Sequence, residues 1–258
     1  MILTYFLNKP LLIFLKNNNL IQKNYLNKKI PIGYGLGIGI IIYIILFLGY
    51  IMDIYQRSII FYLYFLLSMA LLAGILDDFY RQDQENGFYG HFKSFIKESK
   101  VTSGCLKAVL ISFAALIISF ELSNNYLFNL IDFLLIVLGA NFINLLDLRP
   151  GRAIKSFSTA GIITIFLRYE SIILLLPLLV VILLLAPLDL KGKAMLGDTG
   201  SNLLGVFLGF TWALFLQIEY KIIITSLLIL IHLYTERYSL TETIKNNSLL
   251  NYIDLLGR

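Results

Sequence analysis

The chain has 258 residues, of which 58% are hydrophobic and 14% are charged, and its mean hydropathy is +0.80. This composition excludes a water-soluble domain and indicates a polytopic membrane protein. The formal net charge of +5 does not indicate nucleic-acid binding. The basic residues lie in short loops between apolar runs, where they set topology and contact anionic headgroups.

Eight apolar runs are long enough to predict membrane-spanning helices, and residues 1–15 predict a partial first span interrupted by Lys9 and Pro10. The eight predicted spans cover residues 31–52, 59–76, 104–120, 127–146, 157–167, 171–187, 201–216 and 222–234. The single cysteine, Cys105, excludes an intrachain disulfide and is interpreted as a small packing residue. We therefore predict an all-α, polytopic membrane bundle of about eight to nine transmembrane helices, with one domain over residues 1–258.

The connections between these spans alternate between a strongly basic side and a nearly uncharged side. The basic side carries 17 Lys and Arg residues, with Lys107 included, whereas the other side carries three. The segments on the basic side are 16–30, 77–103, 147–156, 189–200 and the tail from residue 235. Because cytoplasmic loops are enriched in Lys and Arg, this bias predicts that the basic side is cytoplasmic in a multi-pass protein of the cell membrane.

Two adjacent carboxylates, Asp77 and Asp78, end the second apolar run abruptly. A carboxylate at the bilayer centre costs roughly 2.5 to 3.5 kcal/mol, so the pair predicts the water-facing end of a helix. Neighbouring helical residues point about 100 degrees apart, so one carboxylate can face the bundle interior while the other turns outward. A solvated helix end is the alternative for this pair alone. The segment 77–103 that follows is too long for a simple helix connection and predicts a functional loop.

Asn141, Asn144 and Asp147 end the fourth apolar run at the spacing i, i+3, i+6. The helical period gathers these residues within about 120 degrees of one face. Two amides and a carboxylate on one face, at the end of a span, indicate a polar site rather than a lipid contact. Hydrogen bonding between helices is the alternative.

The sequence GDTGS at residues 197–201 begins the seventh apolar run. Free N–H groups at a helix start attract anions, and a carboxylate such as Asp198 suits a Mg²⁺ ion that bridges phosphate oxygens. The alternative is that Asp198 or Thr199 is only the N-cap of the helix. Lys107 lies in the first turns of its run, where it needs an anionic partner such as Asp77, Asp78 or a phosphate, unless it snorkels to the interface.

Carboxylates, a lysine and amide donors at one side of a membrane bundle suit metal-assisted phosphoryl transfer to an acceptor dissolved in the membrane. The sequences GILDD (74–78), NFINLLD (141–147) and LGDTGS (196–201) resemble, in order and spacing, motifs of the polyprenyl-phosphate N-acetylhexosamine-1-phosphate transferases. That family includes the phospho-N-acetylmuramoyl-pentapeptide transferase of peptidoglycan synthesis and the enzymes that start surface polysaccharides. TSGCLK (102–107) resembles the family's segment with a functional lysine, and KKIPIG (28–33) resembles its basic approach to the second span.

The resemblance implies transfer of N-acetylhexosamine-1-phosphate from a UDP-sugar to a polyprenyl (undecaprenyl) phosphate, which initiates a cell-envelope glycan. The implied metal is Mg²⁺, or Mn²⁺ in its place, on Asp198. The implied catalytic residues are Asp77, Asp78, Lys107 and Asp147, and the implied substrate-binding residues are Lys29, Asn141 and Asn144. We expect the lipid phosphate to attack directly, because its oxygen is already anionic near neutral pH. Roles of Asp77 as a base or as a covalent nucleophile stay open. The sequence also leaves open whether the protein is a homodimer.

The chain departs from the family pattern after Asp147, where a glycine and a second aspartate are usual and LRPGR (148–152) stands instead. The family's histidine-rich loop near the C-terminus is also absent. Arginine presents a fork of donors suited to phosphate or carboxylate, so we predict that Arg149 and Arg152 bind the diphosphate or another acidic part of the donor. The alternative is that both arginines anchor the loop to headgroups.

Two other function classes are compatible with parts of this pattern. A catalytically silent membrane scaffold would share the fold, and only an activity or nucleotide-binding measurement distinguishes it. A secondary transporter would place carboxylates near the bilayer midplane at broken helices of repeated halves, whereas here they cluster at one side.

Overall fold

The computed structural model describes residues 2–80 and 103–258, so most of the predicted functional loop at 77–103 lies outside the described residues. The described chain folds almost entirely into helices, which confirms the predicted all-α class. The helices are α1 (Ile2–Asn17), α2 (Gly35–Ile51), α3 (Arg57–Tyr80), α4 (Ser103–Leu122), α5 (Tyr126–Leu146), α6 (Arg152–Leu167), α7 (Ile172–Leu190), α8 (Gly197–Phe215), α9 (Ile218–Thr235), α10 (Leu240–Asn246) and α11 (Ser248–Leu255). A 3₁₀ turn (Tyr169–Ser171) precedes α7, and a small antiparallel hairpin pairs β1 (Ile21–Lys23) with β2 (Lys29–Pro31).

Five of the described segments are long and apolar enough to cross a membrane, judged by length and composition. They are Arg57–Phe79, Ser103–Leu122, Tyr126–Leu146, Tyr169–Leu190 and Ile218–Thr235. A sixth apolar helix, α2, is shorter at 17 residues. The chain is therefore a helical membrane protein.

The predicted boundaries differ from the structure mainly where polar residues belong to helices. The last turn of α3 contains Asp77 and Asp78, because this helix continues to Tyr80. The prediction that residues 31–34 are helical is wrong: the carbonyl of Pro31 accepts a hydrogen bond from the Met195 N–H at 2.8 Å, and Gly33, with φ +83°, turns the chain before α2 begins at Gly35. At the N-terminus, the partial first span is one helix that continues through Pro10.

Two further helices form where only a polar tail had been expected. Ser239 accepts a hydrogen bond from the Glu242 N–H at the start of α10, and Asn247 accepts one from the Leu250 N–H at the start of α11. These polar side chains satisfy N–H groups that a helix start leaves free. Local capping therefore explains why a tail without a long apolar run is helical.

Helix α8 lies at the centre of the bundle, since every residue from 197 to 213 is buried. It packs most extensively against α5 and α3. A Cβ atom at Gly205 would lie 2.4 Å from the carbonyl oxygen of Gly139, and one at Gly209 would lie 2.5 Å from that of Leu135. Small residues allow helices in membranes to approach this closely. Because α8 contacts protein along this whole length, it tolerates the polar residues that begin it.

Candidate functional site

The ends of four helices meet at one end of the bundle, which we call the polar end. Asp77 lies in the last turn of α3, Lys107 in the first turns of α4, Asn144 in the last turn of α5 and Asp198 in the first turn of α8. Hydrogen bonds join the other three helices, α3, α4 and α5, to α8. The structure therefore brings together polar helix ends that are up to 121 residues apart in sequence.

Asp77, Lys107 and Asp198 form a buried group that we call the carboxylate cluster. The Lys107 ammonium lies 2.5 Å from Oδ2 of Asp198 and 3.6 Å from Oδ2 of Asp77. The two carboxyl groups are close enough to hydrogen-bond to each other, and the Ser103 hydroxyl donates to Asp77. Asp77 is only 5% exposed and Asp198 only 3%. Burial weakens solvent screening, so these charges interact strongly with one another and with any ion that joins them.

Asn144 orients the carboxylate of Asp198. Its Nδ2 donates to Oδ2 of Asp198 at 3.3 Å, and its Oδ1 accepts a hydrogen bond from the Ser201 hydroxyl at 3.1 Å. Ser201 lies on α8 three residues after Asp198, so it fixes the side-chain amide from the same helix face. Asn144 thus connects α5 to the carboxylate cluster through a hydrogen bond between helices.

Asp78 has a different surrounding from its neighbour Asp77. Its two carboxylate oxygens accept hydrogen bonds from the N–H groups of Asp198 and Thr199, at 2.9 and 3.0 Å, and from the Thr199 hydroxyl at 2.6 Å. Gly197 has φ +73°, and a Cβ there would lie 2.6 Å from Asp78, so only glycine fits. Asp78 therefore caps α8 from another helix, which satisfies N–H groups that the start of α8 leaves free.

This cap excludes one of the two interpretations of Asp198. The N-cap residue of α8 is Leu196, which makes no side-chain cap, and the free N–H groups are bound by Asp78. The Asp198 carboxylate instead accepts hydrogen bonds from Lys107 and Asn144. The alternative that Asp198 or Thr199 only caps the helix is therefore wrong.

The carboxylate cluster fits a magnesium ion only if the substrate completes the coordination. Within residues 2–80 and 103–258, no group of three Asp, Glu, His or Cys side chains could hold a metal. Mg²⁺ commonly takes one or two protein carboxylates and fills its other positions with water and substrate phosphate oxygens. Asp77 and Asp198 provide such a pair, so the residues fit an ion that binds together with a phosphate.

Two buried polar residues near this end were missed by the sequence analysis. Asp189, at the end of α7, accepts hydrogen bonds from the N–H groups of Gly151 at 2.7 Å and Leu196 at 3.2 Å, and so ties the start of α6 to the segment before α8. Asn202 lies one turn after Asp198 on the same face of α8, and its buried Nδ2 has no hydrogen-bond partner in the described part of the chain. The sequence signal that could have identified Asp189 is its position at the end of an apolar run, the same position that Asp77 has.

The structure gives Arg152 a partner other than a donor substrate. Its guanidinium binds both oxygens of Asp254 at 2.9 Å and the Thr241 hydroxyl at 3.1 Å, and it is buried. Burial alone would raise the pKa of Asp254, but the hydrogen bonds and charge of Arg152, with the charges of Arg258 and Lys155, hold that pKa below its ordinary value of 3.8. Arg152 therefore attaches the C-terminal segment to α6, and its predicted place at the donor is corrected.

The remaining predicted residues lie around the rim of the polar end. The guanidinium of Arg149 stacks 5.0 Å above the ring of Tyr25. Asp147 is the C-cap residue of α5, whereas Lys29 on β2 and Asn141 on α5 are exposed. In the described part of the chain, no hydrogen bond or ion pair joins Lys29, Asn141 or Arg149 to the carboxylate cluster.

Comparison of the chain with protein-family models and with curated proteins gives no match.

Proposed function

We propose that this protein transfers N-acetylhexosamine-1-phosphate from a UDP-sugar to a polyprenyl phosphate, with Mg²⁺ as cofactor, and thereby begins a cell-envelope glycan. The observation that supports the proposal most strongly is the carboxylate cluster, in which Asp77 and Asp198 share Lys107 at the polar end of a membrane bundle. A lipid-linked phosphate can reach such a position from the membrane while a nucleotide reaches it from water. Resemblance of the motifs to the transferase family supports the same proposal.

In the proposed reaction, an oxygen of the lipid phosphate attacks the phosphorus atom that carries the sugar. A new P–O–P bond forms on the lipid side, the P–O bond to the nucleotide breaks, and UMP leaves with the electron pair of that bond. Asp77 and Asp198 would hold the metal, which when bound neutralises phosphate charge. Lys107 would pair with a phosphate oxygen, and Asn144 would keep Asp198 oriented.

Each neighbouring residue has a role in this proposal. Asp78 holds the start of α8, so that Asp198 faces the cluster. Asp147 and Arg149 would contact the donor from the loop after α5, and Lys29 and Asn141 would contribute from the rim. A silent scaffold of the same fold is the second candidate, and one observation favours it: Arg152, expected at the donor, is bound by Asp254.

Release of UMP is the direct test of the proposed reaction. Purified protein in detergent, supplied with Mg²⁺ and polyprenyl phosphate, should release UMP from a UDP-N-acetylhexosamine and form the lipid diphosphate sugar. Removal of Mg²⁺ with a chelator should stop both, and re-addition should restore them. Binding of donor and lipid without UMP release would instead indicate the scaffold.

We further propose eight to nine transmembrane helices with the polar end in the cytoplasm of the cell, because the described basic segments 16–30, 147–156 and 189–200 contact one another at this end. Single cysteines at Lys191 and Lys245, in a Cys105→Ala background, should then react with impermeant thiol reagents only after the cytoplasmic side is opened. A cysteine at Asp53, in the connection at the opposite end, should react in intact cells. The reverse pattern would overturn the orientation without affecting the geometry of the site.

A further inference from the structure

Helix α11 is amphipathic, and its apolar face points away from the protein, whereas a helix on a water-soluble protein turns its apolar face inward. Leu249, Tyr252, Ile253 and Leu256 follow the spacing i, i+3, i+4, i+7 and form one apolar stripe. Leu249 is 66% exposed and Tyr252 is 65% exposed, so the described chain does not cover this stripe. The polar face, in contrast, points to the protein, because Asp254 is buried.

Charged and polar contacts hold α11 in this orientation. Arg152 and Arg258 bind the Asp254 carboxylate, and the Lys155 ammonium donates to the backbone carbonyls of Ile253 and Asp254, at 2.9 and 2.6 Å. Such a carbonyl contact places a positive charge near the C-terminus of α11, where the helix dipole favours it. The apolar stripe is thus turned outward by specific contacts.

The position of α11 indicates which surroundings it meets. Arg152 is the first residue of α6, so α11 lies level with the start of this helix, next to the polar end. Tyr234 and Tyr238 stack at 5.0 Å where α9 ends, and the Tyr234 hydroxyl contacts Thr243 of α10 at 2.8 Å. Helix α9 exposes apolar residues such as Leu230, as a lipid-facing helix does. Tyrosines at the end of such a helix are typical of the membrane–water interface.

From these observations we propose that α11 is a membrane-surface anchor whose stripe of Leu249, Tyr252, Ile253 and Leu256 inserts into the headgroup and acyl boundary of the same bilayer that the bundle spans. Apolar burial stabilises this contact, so it requires phospholipid but not anionic phospholipid. The Arg152–Asp254 ion pair sets the rotation of α11 that directs the stripe to the lipid. The inference is independent of the proposed transferase activity.

Site-directed spin labelling of the full chain in lipid nanodiscs tests this anchor. Nitroxides are attached to single cysteines at Tyr252 and Leu256 in a Cys105→Ala background. Oxygen, which concentrates in lipid, should collide with these labels more often than a water-soluble nickel chelate does. A cysteine at Leu230 on α9 is the reference for lipid, and one at Lys191, in a polar loop at the same end, is the reference for water.

Three results would overturn the proposal. Labels at Tyr252 and Leu256 that behave like the label at Lys191 would place the stripe in water. Labels shielded from both reagents, with spin–spin broadening that disappears on dilution with unlabelled protein, would indicate a second copy instead. An oxygen preference that appears only in nanodiscs with anionic lipid would contradict apolar insertion.

A variant at Asp254 tests whether its ion pair with Arg152 sets the rotation of α11 about its own axis. Asp254→Asn removes the ion pair with Arg152, and we expect the Tyr252 label to become more mobile while its oxygen preference decreases. Asp53→Asn, the same change at an exposed site, should leave both quantities unchanged. Unchanged mobility in Asp254→Asn would show that the ion pair does not orient α11.

Discussion

Two buried lysine–carboxylate contacts lie toward opposite ends of the same bundle. Lys221 in the first turn of α9 faces a single carboxylate, Asp132 on α5, at 2.7 Å. Lys107 at the polar end is shared between Asp77 and Asp198. A shared lysine can release one carboxylate to a ligand and still keep a partner, whereas release in the one-to-one pair leaves a buried charge unpaired. The shared arrangement around Lys107 suits binding and chemistry, whereas the one-to-one pair of Lys221 and Asp132 suits a tie between helices.

The largest expected effect that tests this contrast is in Asp198→Asn. The amide keeps the size of the side chain but removes the charge that would hold the metal, which stabilises the transition state by several kcal/mol. We expect turnover, measured as UMP release, to fall at least about 1,000-fold, or about 4 kcal/mol. Asp53→Asn, an identical change in an exposed loop, is the matched control and should keep full turnover. Equal turnover in Asp198→Asn and the parent would contradict the role of the carboxylate cluster.

A large effect on stability, but not on turnover, is expected in Asp132→Asn. Breaking a buried ion pair costs roughly 3 to 5 kcal/mol, and Lys221 keeps a little solvent access, so we expect a loss of about 2 to 3 kcal/mol. Thermal unfolding in detergent measures the loss, and UMP release per folded molecule should stay within about twofold of the parent. The double variant Asp132→Asn with Lys221→Met should recover part of the stability. Loss of turnover without loss of stability would assign the Lys221–Asp132 pair a role in the reaction.

Asp78→Asn examines a carboxylate that lies beside the cluster but caps a helix. Its amide offers one acceptor oxygen where the carboxylate offers two, so the hydrogen bond from the N–H group of either Asp198 or Thr199 is lost. We expect a stability loss of about 1 to 2 kcal/mol. Turnover per folded molecule should fall much less than in Asp198→Asn. An equal fall in both variants would place Asp78 among the metal ligands.

The smallest expected effect concerns the rim of the polar end. Arg149→Lys keeps the positive charge but loses both the fork of donors and the planar stack on Tyr25. We expect the KM for the donor to rise about tenfold, worth about 1.4 kcal/mol, with kcat nearly unchanged. Arg168→Lys, in an exposed pair with Glu170, should leave the KM unchanged. A KM within about twofold of the parent in Arg149→Lys would return Arg149 to a headgroup anchor.

Local pattern predicted most of the helices but few of the partners of individual side chains. Hydropathy located the helices because lipid-facing length and apolarity are properties of a single segment. It did not reveal Asp132, because one carboxylate within a long apolar run hardly changes the average of that run. The hairpin at 21–31 and the helices α10 and α11 were missed because none of these strands or helices is longer than eight residues, too short for an apolar run that predicts a span.

By itself the sequence determined that Asp77, Lys107, Asn144 and Asp198 lie at helix ends on the same side. The length of each apolar span fixes the residue at which it ends, and successive spans alternate in direction. Only the tertiary structure decided that Asp78 caps α8 while Asp77 faces Lys107. It likewise decided that Arg152 binds Asp254, about 100 residues further along the chain. The reason is that the length and apolarity of a span are local, whereas the choice of a hydrogen-bond partner depends on which helices pack together.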